Sequence, residues 1–215
     1  MPNPTPQRFR SCQRSTAFFA GAWLFLLTAL ASPGATEGEV TTTPPPSRWP
    51  VEVMSGVLWK VGGGATPLSY TLTPQIISVL CPSIRQWPVA GGTVVYSTRL
   101  SLLLEPIIAG PETYFVGTAA AGYLDWRDPS GKFVVFFAGG GGFGWMDSKG
   151  YEVKGAQGQD FNLNWLLNLG LRVRTRHRWQ WSASAYFQHI SNRGMDKVNP
   201  GLNALGPMLG LSRKF

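Results

Sequence analysis

The sequence predicts an all-β protein, an eight-stranded antiparallel transmembrane β-barrel. Three observations favour this fold class: an N-terminal export signal, long segments in which apolar and polar residues alternate, and turn-forming residues between those segments. No run of 18 apolar residues follows the export signal, so we expect no transmembrane helix in the mature chain.

Residues 1–31 have the three parts of a secretory signal peptide. Arg8, Arg10 and Arg14 precede the uncharged apolar run from Ala17 to Leu30, and Ala31 is a small residue suited to cleavage. The apolar run is shorter than the roughly 20 residues of a comfortable spanning helix, although a retained anchor is the alternative interpretation. We therefore expect export and removal of residues 1–31.

Residues 32–50 are rich in proline, threonine and glycine, which predicts a flexible lead-in rather than part of a core. The barrel domain is accordingly predicted over residues 51–215. The leader holds three of the 19 basic residues and none of the 11 acidic ones. The formal charge is therefore +8 for the full sequence and +5 for the mature chain. That charge suits anionic phosphate on lipid, and no basic run with interleaved aromatics indicates nucleic acid. Cys81 is the sole cysteine after the leader, which excludes an intrachain disulfide.

Eight segments are predicted as strands because their alternate residues are apolar and they are separated by glycine-, proline- or asparagine-containing turns. The clearest segment has Phe161, Trp165 and Leu169 on one face and Asn164 and Asn168 on the other. The predicted strands cover about residues 51–61, 68–80, 93–106, 113–125, 132–144, 159–172, 178–191 and 203–215.

Alternation alone does not separate a membrane barrel from a soluble lipocalin-like barrel, whose apolar residues face inward. The export signal, the strand lengths, the content of Trp and Tyr and the terminal aromatic Phe215 favour the membrane barrel. A closed barrel leaves no unpaired strand edge in lipid. We expect a membrane-embedded protein in the bacterial outer membrane.

The seventh predicted strand carries two polar residues on its lipid-facing side. Trp181, Ala185 and Phe187 share that side with His189 and Ser191, close to the outer leaflet. Residues two apart on a strand lie about 6–7 Å apart on one face, within reach of a side-chain hydrogen bond. A serine beside a histidine is the core of a nucleophile and base pair. The plain alternative is a rim histidine and serine wetted by lipid headgroups.

The segment from His189 to Gly194, with Asn199-Pro200-Gly201 and a last strand to Phe215, resembles the lipid A 3-O-deacylase (PagL) family. The specific resemblance covers about the last 40 residues. It implies an eight-stranded outer-membrane barrel that hydrolyses the ester of the 3-hydroxy fatty acid at position 3 of lipid A. By the resemblance, Ser191 is the nucleophile and His189 the general base, and Asn192 and the Gly194 backbone N–H stabilise the oxyanion.

The family has a glutamate that orients the histidine near the start of the last strand, and this chain has Asn203 at the matching position. The amide oxygen of Asn203 can accept the imidazole N–H and fix its tautomer, but it supplies no negative charge. Asp196 is a substitute acid to consider. Three interpretations therefore stay open: a slow enzyme, an enzyme with another acid, and a relative without activity. The leading alternative function is a non-catalytic structural or lipid-binding barrel.

Other motifs are interpreted structurally. The run Gly139–Gly142 lacks the Gly-Lys-Ser/Thr of a phosphate loop and indicates close strand packing. Arg99 and Glu105 are expected to pair inside the barrel, and His177 lies in a basic turn. Two histidines and one mature cysteine make no metal cluster, so no cofactor or metal is expected. The expected partner is lipid A or lipopolysaccharide as substrate, with no nucleic acid, and a homodimer is left open.

Overall fold

A computed structural model of the protein describes residues 50–62, 65–175 and 179–213. The chain divides into the units Met1–Pro44 and Pro45–Phe215, and the described residues all belong to the second. The predicted signal peptide, nearly all of the lead-in, His177 and Phe215 lie outside the described residues. Within the described residues, no helix is long and apolar enough to cross a membrane.

Eleven strands make up the described unit. They are β1 (Val51–Gly56), β2 (Leu58–Lys60), β3 (Thr71–Leu72), β4 (Gln75–Leu80), β5 (Arg85–Val89), β6 (Gly92–Ala109), β7 (Tyr114–Arg127), β8 (Phe133–Met146), β9 (Phe161–Arg174), β10 (Trp179–Ser191) and β11 (Leu202–Arg213). All of their pairings are antiparallel.

The strands close into a barrel with eight strand positions around its wall, which confirms the predicted fold class. Each position, whether filled by one strand or by consecutive shorter strands, is called a stave. β1 and β2 form the first stave, and β3, β4 and β5 form the second, which runs along the length of β6. β6 to β11 are the other six staves. The last stave returns to the first, with Val51 opposite Arg213 and Trp59 opposite Leu205. Closure pairs β1 on both sides, with β4 and with β11, whereas β5 pairs with β6 alone among the described strands.

Interruptions in the first two staves explain why eleven strands form eight staves. The first stave is broken at Val57, whose N–H still donates to Pro207 O at 3.3 Å. The second stave is broken twice. Residues 73–74 separate β3 from β4, although Thr73 N still donates to Pro106 O at 2.8 Å, and residues 81–84 separate β4 from β5, where the backbone bonds to β6 continue through Cys81 and Ile84. β5 was not among the predicted strands, because its sequence Arg85–Val89 contains a proline and does not alternate.

Side chains alternate between the two faces of the barrel wall as predicted. Leu169, Leu171, Trp181 and Leu209 are outward-facing and exposed, whereas their inward-facing neighbours are buried. Buried polar residues on the inward side are Glu52, Ser78, Arg99, Glu105, Asp125, Asn162, Asn164, Asn168, Arg172, Ser182, Gln188 and Ser212. The wall is therefore apolar outside, as in a barrel in lipid, whereas the interior combines these polar residues with a buried apolar cluster that includes Leu58, Leu103 and Phe115.

The polar part of the interior holds an ion-pair cluster. Arg99 pairs with Glu52, and Arg172 lies 3.6 Å from Glu52 and 3.2 Å from Asp125. The predicted pairing of Arg99 with Glu105 is wrong. Both residues face inward from β6, but six residues along one strand separate them by roughly 20 Å, so Arg99 reaches across the barrel instead.

The run Gly139–Gly142 packs closely against β7, as interpreted from the sequence. A Cβ atom on inward-facing Gly140 would lie 2.7 Å from the Ala121 Cβ, and one on Gly142 would lie 2.7 Å from the Ala119 Cα. Neither distance is compatible with a side chain, so these glycines let two strands approach each other.

The barrel has a loop end and a terminal end. At the loop end lie residues 61–62 and 65–70 of the first connection and the connections 110–113, 147–160 and 192–201. At the terminal end lie Pro50, Arg213 and the short turns 90–91 and 128–132. Hydrogen bonds link three of the connections at the loop end. Glu112 accepts from Tyr70 Oη at 2.7 Å and from Gln157 N at 2.8 Å.

Candidate active site

The last hairpin, β10–β11, brings three polar side chains together on the outside of the barrel wall. His189 lies directly opposite Asn203 in the register of the two strands, and Ser191 is two residues beyond His189 at the loop end. Outward-facing residues nearer the terminal end of this hairpin, such as Phe187 and Leu205, are apolar. All three polar side chains are half-buried. The three side chains therefore lie where the sequence predicts them, on the outer wall near the rim.

The three side chains form a continuous hydrogen-bonded chain. His189 Nδ1 lies 2.6 Å from Asn203 Oδ1, and His189 Nε2 lies 3.0 Å from Ser191 Oγ. Because an amide oxygen only accepts, Nδ1 carries the imidazole proton in this arrangement. In the neutral imidazole with this tautomer, Nε2 is the nitrogen without a proton and accepts from the Ser191 hydroxyl. This tautomer is the one a general base needs in order to take the serine proton.

Gly201 shapes the backbone beside the imidazole. Its φ of +67° lies in the left-handed region that favours glycine. A Cβ atom there would lie 3.2 Å from His189 Cε1, so a side chain would crowd the ring. The backbone at Gly201 is held by the connection between β2 and β3, since Thr66 N donates to Gly201 O at 2.9 Å.

A tryptophan that the sequence analysis did not assign to the site covers the other side of His189. Trp165 on β9 is directly opposite His189 on β10, and the two ring centroids are 5.8 Å apart with an interplanar angle of 33°. The signal that could have found it is register. Once the register of the β9–β10 hairpin is known, the outward-facing residue of β9 that lies beside His189 follows from it.

The two residues expected to stabilise an oxyanion are engaged in a tight turn. Asn192 Nδ2 donates to Val198 O at 2.9 Å, and Asn192 Oδ1 accepts from Gly194 N at 2.9 Å. Arg193 and Gly194 have φ of +54° and +81°, as in a type I′ turn, closed by Met195 N donating to Asn192 O at 3.0 Å. In this structure, the donors of Asn192 and Gly194 therefore have protein acceptors.

The structure places Asp196 away from the imidazole hydrogen bonds. Its carboxylate accepts from Tyr151 Oη at 2.9 Å and from Val198 N at 2.7 Å. The hydrogen bond to Asp196 raises the pKa of Tyr151. The described bonds to His189 thus come from Ser191 and Asn203, and Asp196 instead joins two loops at the loop end.

The other residues singled out in the sequence do not form a second site. Cys81 is free and half-buried. In the described ranges, no group of three or more histidine, cysteine, aspartate or glutamate side chains is arranged to hold a metal ion. The arrangement on the outer wall has the elements of nucleophilic acyl transfer: a hydroxyl, a base within hydrogen-bond distance and an orienting acceptor.

Comparison with known proteins agrees with this fold. The model of the family described as lipid A 3-O-deacylase (PagL) matches residues 86–212, more than half of the chain. The crystal structure of the outer membrane enzyme PagL is similar with a TM-score of 0.54 and 15% sequence identity, covering 76% of this chain and 99% of that chain.

A second solved structure, the β domain of the Bordetella autotransporter BrkA, is similar with a TM-score of 0.38 and 14% identity, covering 78% of this chain and 80% of that chain. No curated protein sequence matches the chain. The family match covers β5 to β11 and includes the whole hydrogen-bonded chain on the outer wall. The protein belongs to the lipid A 3-O-deacylase (PagL) family of outer-membrane β-barrels.

Proposed function

We propose that this protein is a serine-type ester hydrolase that removes the 3-O-linked 3-hydroxy fatty acid from lipid A. The observation that carries the proposal is the chain of hydrogen bonds from Ser191 through His189 to Asn203 on the outer wall. A polar group facing lipid costs from about zero to a few kcal/mol with depth. Three such groups bonded in the order nucleophile, base and orienting acceptor are explained by catalysis better than by chance.

The first half of the reaction acylates the serine. His189 Nε2 takes the Ser191 proton as Oγ attacks the ester carbonyl, which gives a tetrahedral oxyanion and an imidazolium. Collapse of that intermediate breaks the bond between the carbonyl carbon and the sugar oxygen. The imidazolium returns the proton to this oxygen, so deacylated lipid A leaves with a free hydroxyl.

The second half regenerates the enzyme. A water molecule loses a proton to His189 and attacks the acyl–serine carbonyl, and the second tetrahedral intermediate collapses with the proton passing to Ser191 Oγ. The products are the 3-hydroxy fatty acid and free enzyme. A site at the rim suits both steps, because the acyl chain stays in lipid while water enters from the loop end.

Asn192 and the Gly194 N–H are the proposed oxyanion stabilisers, following the family resemblance. Both groups already donate to protein acceptors at 2.9 Å. The role therefore requires the turn to exchange those hydrogen bonds for the oxyanion when substrate binds. Catalytic hydrogen bonds often tighten only in the complex with substrate.

The use of Asn203 lowers the expected rate without changing the tautomer. Replacement of the acid by its amide in a serine triad can cost about 10⁴ in rate, largely because the histidine is then held in the wrong tautomer. Here Asn203 Oδ1 accepts from Nδ1, which keeps the correct one. What is lost is the negative charge that stabilises imidazolium, so we expect a slow enzyme rather than an inactive one.

The same residue favours a second candidate, a non-catalytic or lipid-binding barrel, since a silent relative can also lose its acid. Purified protein in detergent micelles, given lipid A that carries a 3-O-acyl chain, distinguishes the two. The hydrolase releases 3-hydroxy fatty acid, and Ser191→Ala releases none while keeping the heat-modifiable gel migration of a folded barrel. Absence of release from the wild type and from Asn203→Glu would favour the silent barrel.

A further inference from the structure

Trp165 occupies a defined place in the wall. It faces outward from β9 and is paired with His189 across the β9–β10 ladder, whereas Asn203 is paired with His189 across the β10–β11 ladder. The imidazole is therefore flanked by an amide on one strand and an indole on the other.

Trp165 also contacts the aromatic residue that precedes His189 on the same face. Its ring centroid lies 4.9 Å from that of Phe187, at an interplanar angle of 42°. Phe187, Trp165 and His189 thus make a contiguous aromatic surface. In the described part of the chain, the indole Nε1 is buried and has no hydrogen-bond partner. Ring packing, rather than a hydrogen bond, holds the indole in place.

We propose that Trp165 is a positioning residue for His189, which takes over part of the role of the missing carboxylate; this inference rests on the proposed function. The indole holds the imidazole toward Ser191 and stabilises the imidazolium that forms when His189 Nε2 accepts the Ser191 Oγ proton. A cation over the face of a tryptophan, within about 6 Å of the ring centroid, is attracted by the ring quadrupole, more strongly where water is excluded. The separation of 5.8 Å meets that distance.

A charge in the triad and an indole against the ring are alternative ways of stabilising the same cation. With Asn203 neutral, the indole contributes a larger share than it would beside a carboxylate. Substitution of Trp165 should therefore cost more in the natural protein than in the Asn203→Glu variant. A purely structural role for Trp165 predicts the same cost in both backgrounds, because packing does not depend on that charge.

The test measures the rate at which a lipophilic fluorophosphonate labels Ser191 of the full-length protein in detergent micelles. Labelling depends on activation of the serine by His189 and needs no lipid A. We expect Trp165→Leu to slow labelling about fivefold to thirtyfold. Trp165→Phe sacrifices no hydrogen bond and keeps a ring, so it should stay within about threefold of the natural protein.

Trp145→Leu is the matched control. Trp145 is exposed on the same outer wall and packs on Phe143 and Phe161, and it has no ring contact with His189. It should label at the natural rate. In the Asn203→Glu background, the cost of Trp165→Leu should fall to about threefold or less. Heat-modifiable migration shows that each variant is folded, and Trp165→Met replaces Trp165→Leu if the latter does not fold.

Equal labelling rates for the natural protein and folded Trp165→Leu or Trp165→Met would overturn the role of Trp165, as would an equal cost in both backgrounds. A natural protein in which mass spectrometry finds no label on Ser191 would overturn the proposed function and this inference together. Labelling of Ser191 that is insensitive to Trp165 would overturn the inference alone.

Discussion

Restoring a carboxylate at position 203 should accelerate the reaction. Asn203→Asp is the cleanest change, because aspartate has the size and shape of asparagine and differs by its charge. The short contact of 2.6 Å between His189 Nδ1 and the side-chain oxygen should persist in the variant. The variant therefore isolates the charge from the geometry.

The magnitude follows from that single hydrogen bond. A neutral hydrogen bond contributes about 0.5–1.5 kcal/mol net, and one to a charged group about 1.5–3 kcal/mol. The difference of about 1–1.5 kcal/mol applies when the imidazolium forms, and each 1.36 kcal/mol is tenfold in rate. We expect Asn203→Asp to raise kcat by about fivefold to tenfold with little change in KM, because the charge acts in the transition state.

The assay is release of 3-hydroxy fatty acid from purified lipid A in detergent micelles, at a pH where the new carboxyl is ionised. Asn203→Ala is the companion variant. It removes the acceptor that orients the imidazole and fixes its tautomer, so it should reduce kcat. The reasoning is refuted if Asn203→Asp and Asn203→Ala both have the same kcat as the natural protein.

Three further predictions concern the nucleophile and base, the backbone beside the imidazole, and the barrel. Ser191→Ala and His189→Ala should each abolish release of the fatty acid to nearly the same extent, since residues acting as one catalytic unit are not additive; kinetics of the double variant check this. Gly201→Ala should reduce kcat by about tenfold by crowding His189, whereas Gly91→Ala, with a similar φ of +73° and no atom within 4 Å of its Cβ, should not. The mature chain should fractionate with outer membranes and migrate heat-modifiably on gels, and recovery as a soluble periplasmic protein would contradict the membrane barrel.

The alternation of apolar and polar residues was enough to predict the eight staves, because a strand's two faces follow directly from residue parity. Together with the export signal, it also predicted that His189, Ser191 and Asn203 share the outward face, since each has the parity of the apolar residues of its own strand. The extent of each stave was harder to predict. Val57, residues 73–74 and residues 81–84 interrupt the first two staves, and the alternation of apolar and polar residues does not indicate that a stave continues across such breaks.

Contacts that depend on barrel stagger, strand register or turn type could not be predicted in the same way. Which inward-facing acid meets Arg99 depends on the stagger of the closed barrel, so Glu52 was not identified as its partner. The contact of Trp165 with His189 depends on the register of β9 against β10. The hydrogen bonds of Asn192 and Gly194 depend on the type I′ turn, which the residue types alone did not specify.

The most direct test of the central claim is mass spectrometry of lipid A from bacteria whose lipid A retains its 3-O-acyl chain. One culture expresses this protein, one expresses Ser191→Ala at equal outer-membrane abundance, and one expresses neither. We predict a lipid A species lighter by one 3-hydroxyacyl chain in the first culture alone. Identical lipid A spectra from all three cultures, with both proteins folded in the outer membrane, would contradict the assignment of this barrel as a lipid A 3-O-deacylase.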